Sequence, residues 1–345
     1  MELRPIRIVH YGLGAIGSAI ARLTAAQRGL EIVGGIDRDP AKAGRDLGDV
    51  MGAGRQLGLI VSDDATALLR RTNPDVVIHA TTSLFHQVYP QILDCVAVRA
   101  NVISTCEELV YPYAKEPEAS AELNRLAIQS GVTVLGAGVN PGFVMDLLPL
   151  LLTAPCVEIK RISVSRLIDA TDRRAAVHQR IGAGLSLDHF RDHVAQGKVR
   201  HVGLSESIHM LADGLGWQLY RVTESLDPII AEDWLRTPHE TIAPGQVAGI
   251  RQSARGWMHG RDVLTLTWEQ AVGARATHDA IKIEGKPPID LLIQGGLHGE
   301  HAAAALILHA IPRVLAAPPG LTTVLALPPI HYQPRPEPES LARVR

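Results

Sequence analysis

The chain has 345 residues, which at roughly 150 residues per domain predicts two domains or one large α/β unit with a sizeable core. Its 34 basic and 36 acidic residues nearly balance, and 46% of it is apolar, so neither the basic surplus of a nucleic-acid binder nor the composition of a disordered chain is present. Three cysteines, Cys95, Cys106 and Cys156, make no disulfide framework and have no structural-zinc spacing.

The N-terminus enters a β-branched run at 6–11 with no apolar leader before it, which sets the expectation of a cytoplasmic protein. The apolar run at 302–308 is far too short for a bilayer, which needs about 20 residues; no membrane partner is expected. Strands are predicted at 6–11, 31–36, 59–61, 75–79, 101–105 and 132–135. Helical spacing covers 16–27, 64–71, 84–99 and 118–130, with Asp63 or Asp64 and Ser83 as N-caps. Such alternation predicts an α/β Rossmann domain over 1–150, a doubly wound parallel sheet of six strands. Beyond it, alternating segments at 157–165, 245–259 and 263–268 predict a second, α+β domain over 151–330 with a mostly antiparallel sheet. Its middle, 181–213, reads as helices. An apolar helix near 300–315 has the option of returning to the first domain, and 331–345 reads as a proline-rich tail.

The segment Gly12-Leu13-Gly14-Ala15-Ile16-Gly17 follows the first strand and opens a helix. Gly12 permits the tight turn, Gly14 lets the backbone approach a pyrophosphate at the helix N-terminus, and Gly17 allows close helix packing. Asp37 ends the second strand and is placed for ribose hydroxyls, which favours NAD; Arg38 beside it suits an adenine or a 2′-phosphate, which keeps NADP open. Ala80, Thr81, Thr82 and Ser83 follow the 75–79 strand, where ligands of such sheets bind; Ser83 is also a helix cap. The 101–105 strand runs into Thr105-Cys106-Glu107-Glu108. A partly desolvated glutamate there suits a general base, two adjacent carboxylates also suit a helix start, and Cys106 raises a thiolate nucleophile like that of acylating aldehyde dehydrogenases. After 132–135, Asn140-Pro141-Gly142-Phe143 offers Asn140 to a nicotinamide carboxamide and Phe143 as a substrate wall, or simply forms a turn. His189 with His193, and His298 with His301, have helical spacing but no convincing third ligand, so no metal is expected.

These motifs together, Tyr11 to Gly17, Ala80 to Ser83, Ser104 to Glu108 and Asn140 to Phe143, resemble the native amine dehydrogenases and the related 2,4-diaminopentanoate dehydrogenases, whose first domain is like that of dihydrodipicolinate reductase. Dihydrodipicolinate reductase itself fits poorly, because its His-His-Arg-x-Lys segment is missing. The resemblance implies a homodimeric NAD- or NADP-dependent enzyme that reversibly aminates a small ketone or aldehyde with ammonia. It implies a catalytic glutamate at Glu108, with Glu107 as second choice; Asn140, Pro141 and Phe143 are the residues expected at the substrate. The alternatives are a diamine or amino-acid dehydrogenase, an acylating enzyme using Cys106, and a non-catalytic dinucleotide sensor.

Overall fold

A computed structural model describes residues 4–332 of the chain. One compact unit runs to Val139 and resumes at Gly299; the other is Asn140–His298. The first begins β1 (Ile6–Tyr11), α1 (Ala15–Ala26), β2 (Leu30–Ile36), α2 (Leu47–Met51), α3 (Ala65–Thr72), β3 (Val76–His79), α4 (Phe85–Ala97), β4 (Asn101–Ser104), α5 (Pro117–Ser130) and β5 (Thr133–Gly136). The second holds α6 (Leu147–Leu152), β6 (Glu158–Asp169), α7 (Ala175–Ile181), α8 (Leu187–Ala195), α9 (Leu204–Leu215), β7 (Arg221–Ile230), the short pair β8 (Leu235–Arg236) and β9 (Thr241–Ile242), β10 (Val247–Met258), β11 (Arg261–Ala271), β12 (His278–Lys286) and β13 (Ile289–Gln294). The chain then completes the first unit with α10 (Gly299–Ala316) and β14 (Gly320–Thr322).

In the first unit six parallel strands stand in the order β14-β5-β4-β3-β1-β2. Burial on both faces explains their unbroken apolar runs, such as Val76–His79. Helices α1 and α10 pack on each other and α10 on β4 and β5, while α3, α4 and α5 form a second contacting group. The sheet is thus doubly wound, and the strand order reverses at β1, between β2 and β3, which is where such sheets bind ligands.

Three local expectations need correction. Residues 59–61 form no strand of the sheet: they exchange hydrogen bonds with the loop at 44–47, Ile60 makes only an isolated bridge with Asp46, and Ser62 just beyond them makes another with Ile36. The sixth strand is β14, from the far end of the chain. Ser83 is not the cap of α4; Leu84 holds that position without a side-chain hydrogen bond, whereas Asp64 does cap α3 through Ala67 N–H at 2.9 Å. The unit boundary falls after Val139 rather than at 150, because from Gly142 onward the chain bonds to its own unit: the Asp146 carboxylate accepts from Gly142 N–H and from Ser207 Oγ of α9, and α6 packs on α9.

The second sheet has the order β13-β12-β6-β11-β10-β7. All its pairs are antiparallel except β6 with β11, so the sheet is mixed around one parallel pair. Alternation is clean: Leu264, Leu266 and Trp268 are buried, while Thr265 and Thr267 between them are partly exposed. Helix α9 packs on β7, β10 and β11. Of the predicted 331–345 tail, everything from 333 on lies outside the described residues.

Candidate active site

The glycine loop follows from β1 and α1. Gly12 has φ of 92°, a left-handed conformation, and a Cβ there would meet the Ala80 carbonyl oxygen at 2.4 Å. A Cβ on Gly17 would stand 1.9 Å from the Gly12 carbonyl oxygen. At Gly14, by contrast, a Cβ would meet nothing within 4 Å. Gly14 is the N-cap of α1, it offers no side-chain cap, and the first turn, with Ala15 and Ile16, carries no acidic residue. The helix end therefore presents N–H groups and its positive pole with open space before Gly14, which fits a pyrophosphate.

Asp37, just past β2, accepts from Leu13 N–H at 2.8 Å and from Asp39 N–H at 2.9 Å. Lys42, which sequence reasoning passed over, places Nζ 3.0 Å from Asp37 Oδ2. Burial pushes the Asp37 carboxyl up, but the Asp39 and Leu13 amides and the Lys42 ammonium outweigh it and hold the carboxyl below its usual range. Arg38 is exposed.

Beyond β3, Thr81 and Thr82 direct their hydroxyls to glutamines of α4: Thr81 Oγ1 to Gln91 Oε1 at 2.9 Å and Thr82 Oγ1 to Gln87 Oε1 at 3.0 Å. The buried His79 joins them, with Nε2 2.8 Å from Gln91 Oε1 and Nδ1 3.0 Å from Ser104 Oγ. Burial pulls this imidazole down to about 4, against the Gln91 bond, so it is neutral near pH 7. Ser104 Oγ in turn accepts from Cys106 N–H at 3.1 Å, and Thr105 N–H donates to the His79 carbonyl at 2.9 Å. The turn carrying the two glutamates is thereby fastened to β3.

Glu107 opens the short 3-10 turn Glu107–Leu109. Glu108 N–H donates to the Ser83 carbonyl at 3.2 Å, and Glu108 Oε2 accepts from Phe85 N–H at 2.8 Å. Its carboxylate thus occupies the capping place that Ser83 does not fill, at the positive end of α4. Oε1 has no hydrogen-bond partner among the described residues. Cys106 corrects the nucleophile reading: its side chain is fully buried in the core with Val102, Leu109 and Val134. Burial pushes the thiol far up, whereas a nucleophilic cysteine needs an exposed thiolate.

Asn140, Pro141 and Phe143 belong to the second unit. Asp146 fixes their loop, accepting from Gly142 N–H at 2.8 Å, Leu147 N–H at 2.7 Å and Ser207 Oγ at 2.7 Å. Asn140 Nδ2 lies 3.0 Å from His201 Nε2. Asp146 and His201 escaped sequence reasoning because the contacts that tie the loop to the rest of the unit, Asp146 with Ser207 and Asn140 with His201, each span 61 residues. His189, His193, His298 and His301 form no such group: among the described residues no three His, Cys, Asp or Glu side chains converge as metal ligands.

Residues 143–333 match the model of the 2,4-diaminopentanoate dehydrogenase C-terminal domain, and residues 6–105 that of the dihydrodipicolinate reductase N-terminus. The chain is 32% identical over 338 residues to a 2,4-diaminopentanoate dehydrogenase of Acetoanaerobium sticklandii, covering 94% of each. It is 25% identical to an amine dehydrogenase of Streptomyces virginiae, covering 94% of this chain and 96% of that one. The solved structure of an amine dehydrogenase from Mycobacterium smegmatis superposes with a TM-score of 0.85 at 30% identity, covering 96% and 98% of the two chains. On the strength of the matched C-terminal domain and the near full-length relative, the chain belongs to the 2,4-diaminopentanoate dehydrogenase family, oxidoreductases acting on CH–NH2 groups.

Proposed function

We propose that the chain catalyses the reversible, NAD(P)H-dependent reductive amination of a small ketone or aldehyde with ammonia. The observation that carries this reading is Glu108, a partly buried carboxylate anchored through Oε2 to Phe85 N–H with Oε1 left to exchange a proton. In the aminating direction Glu108 takes a proton from ammonium and assists loss of water from the carbinolamine; in reverse it serves the attack of water on the iminium. Glu107 is the second choice for this role. Asn140, Pro141 and Phe143 are assigned to the amine or carbonyl.

The cofactor is a nicotinamide dinucleotide, and when bound it supplies or removes the hydride. Gly12, Gly14, Ala15, Ile16 and Gly17 would hold its pyrophosphate, and Asp37 its ribose hydroxyls. Ala80, Thr81, Thr82, Ser83, Thr105 and the Cys106 backbone, with Asn140, are assigned to the remainder. Arg38 and Lys42 are the cations available to a 2′-phosphate, so both NAD and NADP are expected to serve.

A second reading, oxidation of 2,4-diaminopentanoate or a related amino acid, is favoured by the 143–333 match and the 32% identical relative. Rates with 2,4-diaminopentanoate against those with cyclohexanone plus ammonia separate the two. A cytoplasmic homodimer is proposed, built on the second unit's sheet face bearing Ser163, Ser165, Thr265 and Thr267 with the exposed Leu292. Among the described residues no helix is long and apolar enough to cross a membrane.

The deciding experiment is Glu108→Gln, which keeps an acceptor for Phe85 N–H but removes the basicity. Amination is expected to fall by about 10²–10⁴-fold while the NADH dissociation constant, read by fluorescence, stays unchanged. A Glu108→Gln protein at the unaltered rate would remove Glu108 from the mechanism and leave Glu107, the second choice, to be tested in its place.

A further inference from the structure

Across the inner face of the second sheet, Gln252 of β10 stands directly opposite Trp268 of β11. Both are buried, and both are used to hold one residue, His201, in the segment before α9. Gln252 clamps its backbone from both sides: His201 N–H donates to Gln252 Oε1 at 2.9 Å, and Gln252 Nε2 donates to the His201 carbonyl at 2.9 Å. The same Nε2 also reaches Glu224 Oε2 at 3.1 Å, which orients the amide. The His201 ring stacks on the Trp268 indole, centroids 4.4 Å apart and planes 12° from parallel. Backbone and ring are thus both fixed, and the Nε2 of this ring faces the amide nitrogen of Asn140 at 3.0 Å.

An amide nitrogen only donates, so the facing imidazole nitrogen accepts and the ring proton sits on Nδ1. Burial, with Arg180 and Arg166 adding repulsion, pulls the imidazole down to about 3, so Nε2 keeps its lone pair throughout the range in which an enzyme works. With its nitrogen committed to His201, Asn140 is left with Oδ1 as its uncommitted acceptor. That oxygen is buried and has no partner among the described residues. A buried acceptor without a donor is uncommon and costs free energy, and a ligand is one explanation for it.

Resting on the proposed function, we propose that His201 is a positioning residue: it fixes the rotation of the Asn140 amide so that Oδ1 accepts from the N–H bonds of the amine nitrogen of the substrate. The amine nitrogen retains N–H bonds from ammonium through carbinolamine to iminium, so an acceptor held in one orientation stays engaged along the whole course. Left free, the amide can turn its own N–H2 toward the same place and repel the substrate nitrogen.

The test combines kinetics with a readout independent of turnover. With cyclohexanone, NADH and ammonium chloride as the probes, His201→Ala is expected to raise the KM for ammonium about 3–10-fold, the effect of one lost oriented hydrogen bond, leaving kcat within about twofold and the KM for NADH unchanged. His201→Gln, whose carbonyl can still accept from Asn140 Nδ2, is expected to restore the ammonium KM. In the unaltered protein, 15N spectra of labelled histidine should show His201 protonated on Nδ1 and bare on Nε2 from pH 5 to 8. A proton on Nε2 overturns the proposal, as does a KM change for NADH instead of ammonium, or a Gln variant no better than Ala. If the unaltered protein turns over neither cyclohexanone with ammonium nor 2,4-diaminopentanoate, the functional reading itself falls and this role falls with it.

Discussion

A single ion pair sets the cofactor question at the residue scale. Asp37 alone repels a 2′-phosphate, but Lys42 Nζ at 3.0 Å neutralises much of that charge, and an ammonium group is of a kind that binds phosphate. Lys42→Ala is therefore expected to lower the NADP/NAD ratio of kcat/KM by about tenfold, or ~1.4 kcal/mol, and Asp37→Ala to raise it. Steady-state kinetics with both cofactors checks the two signs; a ratio unmoved by Lys42→Ala would leave Arg38 as the phosphate's only partner of the two. Asp37 is legible in sequence because the acidic residue after the second strand stands a set distance from the glycine loop. Lys42 is not, since its loop has to fold back before its ammonium reaches Asp37. The same holds for Glu108, which is readable as a carboxylate at a strand end but not as the cap of a helix that starts 23 residues earlier. Cys106 shows the reverse failure: its neighbours look catalytic, and only burial reveals a core side chain.

Whole elements were legible where local pattern and tertiary role agree. The strand Ile6–Tyr11 and its glycine loop did so, as did α5, entered through Pro117 and stopped by the left-handed Gly131. Residues 59–61 had the apolar pattern of a strand but spend their hydrogen bonds on the 44–47 loop, and β14 has three residues after two prolines, too few for any period. Pairing across the second sheet was equally invisible. Arg166 of β6 and Asp279 of β12 are direct cross-strand partners, 2% and 1% exposed, with Nη1 2.9 Å from Oδ1. Arg166 also donates to the Leu297 carbonyl and Asp279 accepts from Leu297 N–H, which fastens the chain just ahead of α10. Asp279→Ala leaves a buried guanidinium without its counter-ion and is expected to cost about 3–5 kcal/mol, whereas Arg166→Met with Asp279→Leu is expected to restore most of it. Urea titration of the three proteins reads the difference, and a double variant as weak as the single one would show that packing rather than charge dominates there.

At the scale of the molecule, the chain leaves its first unit after Val139, builds a second, and returns at Gly299 to finish the first. The apolar 300–315 pattern announces a helix, but nothing local says which sheet receives it; that depends on complementarity with residues nearly 300 positions earlier. Helix α10 packs on α1, β4 and β5, and buries Ala304, Ile307, Ala310, Ile311 and Val314. Behind it β14 closes the sheet edge against β5, with Leu321 N–H donating to Asn124 Oδ1 and Tyr113 OH to the Leu321 carbonyl. Burying Ile307, Ile311 and Val314 alone is worth about 1.5–3 kcal/mol each, so together they match a large part of the roughly 5–15 kcal/mol that holds an ordinary domain folded. A chain ending at His298 keeps Glu108 and every dinucleotide residue assigned to the first unit, the glycine loop and Asp37 among them, yet exposes the face of α1 and the edge of β5. It is expected to lose NADH binding altogether, while the second unit, whose elements all lie within 140–298, keeps its own thermal transition. Calorimetry and NADH fluorescence on that truncated protein decide the matter: retained cofactor binding would mean that the first 139 residues fold without their returning helix, and that α10 and β14 serve something other than the stability of the cofactor unit.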